Sequence, residues 1–124
     1  MPHIIVEYSD NLERAMDIRR LIDDIHQSVV KSGLFDLAAI RTRAMPRSVY
    51  RIADGKPENA FIHVIARIRQ GRSVEDRKRL GTMVLETAKA AVAKLPSPPP
   101  IGFTVEVIEM EEEMLFRHMT LKVA

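Results

Sequence analysis

Pro2-His3-Ile4-Ile5-Val6-Glu7-Tyr8 decides the fold, because the chain starts with an alternating strand and then repeats the pattern half-way along. In an extended segment Ile4, Val6 and Tyr8 share one face while His3, Ile5 and Glu7 share the other. Its first residue is a proline, which is tolerated at the start of a strand because a missing N–H costs nothing there. Pro2 also has a second potential. An internal proline nitrogen is an amide without basicity, but loss of Met1, usual when proline follows, leaves a secondary amine that can act as a base. Position alone favours the structural role.

Working outward, Asp10 and Glu13 read as an aspartate version of the capping box. Leu12, Ala15, Met16, Ile22, Ile25 and Val29 recur at helical spacing, with Lys31 in the last turn and Gly33 suited to the left-handed position beyond it. Leu37 to Ala44 is expected as a second strand, with Arg41 and Arg43 on one face and Pro46 interrupting the ladder. Val49 to Ile52 reads as a short extended piece and Asp54-Gly55-Lys56-Pro57 as a turn.

The pattern then repeats. Ile62, Val64, Ala66 and Ile68 alternate against Phe61, His63, Ile65, Arg67 and Arg69, the clearest strand in the chain. Ser73 caps a helix with Glu75 and Asp76 in its first turn, and Leu80, Val84, Ala88, Ala91 and Leu95 form its buried stripe. Pro96-Ser97-Pro98-Pro99-Pro100 ends it, and Ile101, Phe103, Val105 and Val107 mark a fourth strand. Glu109 to Glu113 is an acidic run expected as a solvated turn or helix start. The tail from Met114 through Phe116 and Met119 to Val123 is apolar and is expected to pack on the protein or on a neighbouring subunit. The expected fold is α+β: one domain over residues 1–124, two βαβ units, a four-stranded mixed sheet and two helices on one face. The bare sheet face calls for a partner, for which closed symmetry is the usual solution.

Composition narrows the function. The chain has 124 residues, 46% hydrophobic and 29% charged, which suits one globular domain. No apolar run is long enough to span a bilayer and Glu7 and Asp10 come too early for a signal peptide, so a cytoplasmic protein without membrane partners is expected. The absence of cysteine removes thiol nucleophiles and thiolate metal sites. His3 and His63 match no metal-ligand spacing, so no metal is expected. A net charge of +2 does not argue for nucleic acid. An RNA-binding α+β module using the arginine-bearing sheet face is a rival reading, but aromatic residues are only 5% and stacking platforms are scarce. Clustered arginines suit polyanionic small molecules as well as phosphates, because their planar fork binds carboxylates bidentately and cannot lose its charge at neutral pH.

Four blocks together carry a family likeness. Pro2 to Ser9, Gly33-Leu34-Phe35-Asp36-Leu37-Ala38-Ala39-Ile40-Arg41-Thr42-Arg43, Ala53-Asp54-Gly55 before Ala60-Phe61-Ile62-His63, and Gly71-Arg72-Ser73 resemble the 5-carboxymethyl-2-hydroxymuconate isomerase family of the tautomerase superfamily. The likeness is strongest from Pro2 to about Ser73. It implies a homotrimer, no cofactor or metal, and an N-terminal proline base matching Pro2, with functional arginines matching Arg41 and Arg72. It also implies a small polycarboxylate substrate, a 2-hydroxymuconate-type dienol, and a place in aromatic-compound (homoprotocatechuate) catabolism. Arg43, Arg67 and Arg69 are further candidates for the third carboxylate. Phe116 fits an aromatic position of that family, whereas Arg117-His118-Met119-Thr120 departs from its asparagine-rich tail. A related hydratase or dehalogenase reaction is the rival within enzymes, and it needs a water-activating acid such as Glu7 or Glu106 beside Pro2.

Overall fold

The computed structural model describes residues 1–123. Strands and helices follow in the order β1 (Pro2–Ser9), α1 (Ile18–Lys31), β2 (Arg41–Arg47), β3 (Ala60–Arg69), α2 (Val74–Ala93) and β4 (Ile101–Met110). The sheet order is β2-β1-β3-β4. Within each βαβ unit the strands are parallel, β1 with β2 and β3 with β4, and the two units join antiparallel through β1 and β3. Val6 faces Val64 near the centre of that join, which relates the halves by an approximate two-fold.

Alternation places the core on one side. Ile4, Val6, Ile62, Val64 and Ile68 are buried against Leu21, Ile25 and Val29 of α1 and Leu80, Val84 and Ala88 of α2. Fully burying an aliphatic side chain of this size contributes roughly 1.5–3 kcal/mol, so this layer dominates the stability of the fold. The opposite sheet face carries no helix. Across it Glu7 binds Arg47 Nε at 2.7 Å and His63 Nδ1 at 3.3 Å, and His63 Nε2 meets Glu106 at 2.7 Å, a polar chain over all four strands. Among the described residues no helix is long and apolar enough to cross a membrane.

Several local expectations are corrected. Asp10 and Glu13 do not cap α1: Asp10–Arg14 is a short 3-10 helix, and the Glu13 carboxylate is taken by the Tyr8 hydroxyl at 2.6 Å. The α1 cap is Asp17, whose side chain accepts from the Arg20 amide. Strand β2 begins at Arg41 rather than Leu37, because Leu37–Ala39 closes into a 3-10 turn with Ala39 N–H on the Asp36 carbonyl at 2.9 Å. It then runs through Pro46, which an edge strand tolerates. Val49 to Ile52 is not a strand, since the Ile52 carbonyl is used by the turn that follows, accepting from Gly55 N–H and Asn59 Nδ2. Glu109 and Met110 belong to β4, and only Glu112–Met114 forms a turn of 3-10 helix. In the apolar tail Phe116 is 85% exposed, and Met114, Leu121 and Val123 are exposed with it.

Candidate active site

The start of β1, the start of β2 and the ends of β3 and β4 meet at one end of the sheet. The connector from α1 to β2 arrives there through Gly33, whose φ of +71° gives the left-handed exit from the helix. The connector from β3 to α2 turns at Gly71, whose φ of +115° strains any side-chain-bearing residue and delivers Arg72 beside the first strand. Between the two connectors lies a cavity of about 290 Å³ lined by Met1, Phe35, Asp36, Arg69, Arg72 and Arg117, with the Gly33–Leu34 backbone. Larger grooves run between the helices and along the α2–β4 edge, but their linings do not include the N-terminus.

Each cation at this end has a defined setting. Arg72 donates Nη2–H to the Leu34 carbonyl at 2.8 Å and stacks its guanidinium 4.4 Å over the Phe35 ring, which fixes its plane. Arg41 donates Nη1–H to the Ala39 carbonyl at 2.7 Å, turning back along its own connector. Arg69 is forked onto the Glu112 carboxylate and holds that carboxyl below the usual range. The N-terminal amine is held below the ordinary α-amino value, first by burial and then by the positive charge of Arg41, Arg117, Arg69 and Arg72. Both influences favour the neutral form of the amine.

Of the residues singled out in the sequence, Pro2 is buried at the head of β1, and Arg41 and Arg72 reach the same end of the sheet. Of Pro2, Arg41, Arg43 and Arg72 only Arg72 lines the cavity; the other three are not among its lining residues. Arg43 sits one pleat further along β2 on the open face, 3.1 Å from His3 Nδ1. Burial first, and then Arg43, keep the His3 pKa low, so a neutral imidazole accepts that bond. Glu7 and Glu106 are engaged with His63 on the open face and are not among the residues lining the cavity. Arg117 was not singled out for a role. It belongs to a tail without periodicity, and no pattern in the sequence says where such a segment returns.

The family model for 5-carboxymethyl-2-hydroxymuconate isomerase matches residues 2–123. The 5-carboxymethyl-2-hydroxymuconate Delta-isomerase of Escherichia coli is 32% identical over 117 residues, covering 94% of this chain and 93% of that protein. A 5-carboxymethyl-2-hydroxymuconate isomerase from Deinococcus radiodurans R1 has a TM-score of 0.85 at 28% identity, over 94% of this chain and 88% of that one. A crystal structure of a delta-isomerase of the same name has a TM-score of 0.87 at 24% identity, over 96% and 89% of the two chains. The fold extends to a fused 4-OT symmetric trimer, with a TM-score of 0.63 at 17% identity over 86% and 85%. The chain therefore belongs to the 5-carboxymethyl-2-hydroxymuconate isomerase family, and it is an isomerase.

Proposed function

We propose that this isomerase ketonises 5-carboxymethyl-2-hydroxymuconate, using the nitrogen of Pro2 as the proton-transfer base after removal of Met1. The observation that carries this reading is the cationic cavity at the head of β1, in which burial and arginines depress the pKa of the terminal amine. Loss of Met1 moves the terminus inward by one residue, about 3.8 Å, to the head of β1. The base removes the proton of the 2-hydroxyl and returns it to a distant carbon of the conjugated system, so no atom other than hydrogen changes position. Negative charge spreads over the dienolate during the transfer. Arg41 and Arg72 stabilise that charge and hold carboxylates, with no metal or cofactor assigned a step. Arg43 adds positive potential from the neighbouring pleat and takes the lesser share of substrate binding. The reaction belongs to aromatic-compound (homoprotocatechuate) catabolism in the cytoplasm.

The working unit in this reading is a homotrimer. Support comes from the uncovered sheet face, from exposed Met114, Phe116 and Leu121, and from the trimeric state of the fused 4-OT relative. Light scattering checks it, and a stable, fully active monomer would exclude it. The activity itself is tested by following the ultraviolet absorbance of the dienol with protein whose N-terminus has been verified as Pro2. Ketonisation well above the buffer rate is expected, and none at all would refute the assignment.

A further inference from the structure

Four guanidinium groups surround the N-terminal amine, and three are already committed within the chain. Arg72 is bonded to the Leu34 carbonyl and stacked on Phe35, Arg41 is bonded to the Ala39 carbonyl, and Arg69 is forked onto Glu112. Arg117 lines the same cavity and, among the described residues, makes no side-chain hydrogen bond or ion pair. Its position is nonetheless built. The Arg69–Glu112 pair, together with the Glu112 amide donating to Gln70 Oε1 at 3.0 Å, pins the 3-10 turn Glu112–Met114 onto the end of β3. Leu115 N–H then bonds the Glu112 carbonyl at 3.3 Å, and the chain turns back so that Arg117 reaches the cavity.

We propose that Arg117 is the specificity-determining residue that reads the third carboxylate of the substrate, selecting the carboxymethyl-bearing triacid over the diacid 2-hydroxymuconate. This rests on the isomerase reading of the cavity. A muconate has two terminal carboxylates, and the 5-carboxymethyl branch adds one more. Arg41 and Arg72 serve the muconate skeleton near the base, so the branch needs a further cation with free donors. Arg69 has given its fork to Glu112, and Arg43 and Arg67 lie on the open sheet face, where Arg43 is turned to His3. Arg117 alone joins a free fork to a place on the cavity wall. The only carboxylate among the lining side chains is Asp36, on the connector entering β2, so net positive charge remains for the ligand. The branch hangs on C5, the distant carbon that receives the proton, but a methylene insulates its carboxylate from the dienolate and its charge is the same throughout the transfer. A contact to it is equally strong in ground and transition states and acts chiefly on KM.

The test compares kcat/KM for 5-carboxymethyl-2-hydroxymuconate and 2-hydroxymuconate in the native protein, Arg117→Gln and Arg117→Lys, all with verified Pro2 termini. In Arg117→Gln the triacid-to-diacid ratio falls about tenfold, the scale of one charge-assisted hydrogen bond at an open site, mostly through KM. Arg117→Lys keeps the charge without the fork and falls between the two. Turnover of both dienols with an unchanged ratio, or loss of both by the same factor, overturns the assignment and leaves the isomerase reading standing. A native protein that turns over neither dienol overturns both.

Discussion

The two βαβ units end in equivalent crevices, and in the proposed reading only the first is fitted for chemistry. In the first unit β1 begins at Pro2, with His3 beside Arg41 at the start of β2, and the connector Gly33–Ile40 arches over a cavity rich in arginine. In the second unit β3 begins at Ala60 beside Ile101 at the start of β4, and the connector is Pro96 to Pro100. The Ala60 amide donates to the Pro100 carbonyl at 3.0 Å, so its nitrogen is an ordinary ladder donor. The small cavity there, about 170 Å³, has Arg14 facing it together with Glu58, opposite charges that leave no strong field. The same fold has thus built two similar ends. What distinguishes them is a chain terminus in one and an excess of cations around it, neither of which the sheet topology dictates.

The largest expected effect comes from erasing that distinction at its source. Protein that retains Met1, or carries an N-terminal extension, has Pro2 nitrogen in a planar amide without an available lone pair, as in any mid-chain residue. Its kcat/KM should fall about a thousandfold, the scale of losing a general base, while circular dichroism and oligomeric state stay native. Ketonisation at the native rate by such a preparation would rule Pro2 out. Pro2→Ala with a processed terminus keeps an amine and should retain a fraction of the activity.

Next come the cations. Arg72→Ala and Arg41→Ala should each lower kcat/KM about a hundredfold, comparable to removing one donor to a developing oxyanion, whereas Arg43→Ala should cost less than about tenfold. The pH profile gives an independent check. A neutral amine is the active form, so kcat/KM rises as pH rises through its pKa, and burial together with neighbouring positive charge places that limb low. Removing Arg41 or Arg72 should move the limb to higher pH. If Arg43→Ala proves more damaging than either, the functional pair lies one pleat further along β2, on the open face.

How much of this was legible in the sequence differs between the same two kinds of feature. Strict alternation in β1, β3 and β4 and the apolar stripes of α1 and α2 identify three of the four strands, both helices and their order, because a half-buried strand and an amphipathic helix have different periods. Boundaries failed where a side chain or a turn competed with the period. Asp10 and Glu13 have the spacing of a helix cap, yet a tyrosine hydroxyl five residues before Glu13 takes its carboxylate, and Leu37–Ala39 has a strand pattern although it closes a 3-10 turn. The site was half legible. Pro2, Arg41 and Arg72 sit on blocks with a recognisable likeness, whereas Arg117 reaches the cavity only through the Arg69–Glu112 pair, a contact between residues 43 positions apart that no local pattern encodes.

The smallest effect probes the second crevice. At the far end of β1 the buried Tyr8 hydroxyl donates to Glu13 at 2.6 Å, and Glu13 belongs to the 3-10 helix Asp10–Arg14 that borders the cavity facing Ala60. This bond lies at the opposite end of β1 from the amine, so Tyr8→Phe should leave kcat/KM within about twofold while lowering stability by about 1 kcal/mol, the net worth of one hydrogen bond. Burial, then the Glu13 bond and charge, raise the phenol from 10.0 to about 12, so the fold favours neutral tyrosine. A raised folded-state pKa means that this stabilisation is fully present below pH 10 and is lost as pH rises toward about 12. The gap between native protein and Tyr8→Phe in urea denaturation should therefore be constant near neutrality and close above pH 10. A gap that persists at pH 12, or a Tyr8→Phe rate as low as that of Arg72→Ala, would mean that the two ends of β1 are coupled and that the division of labour between the crevices is not as drawn.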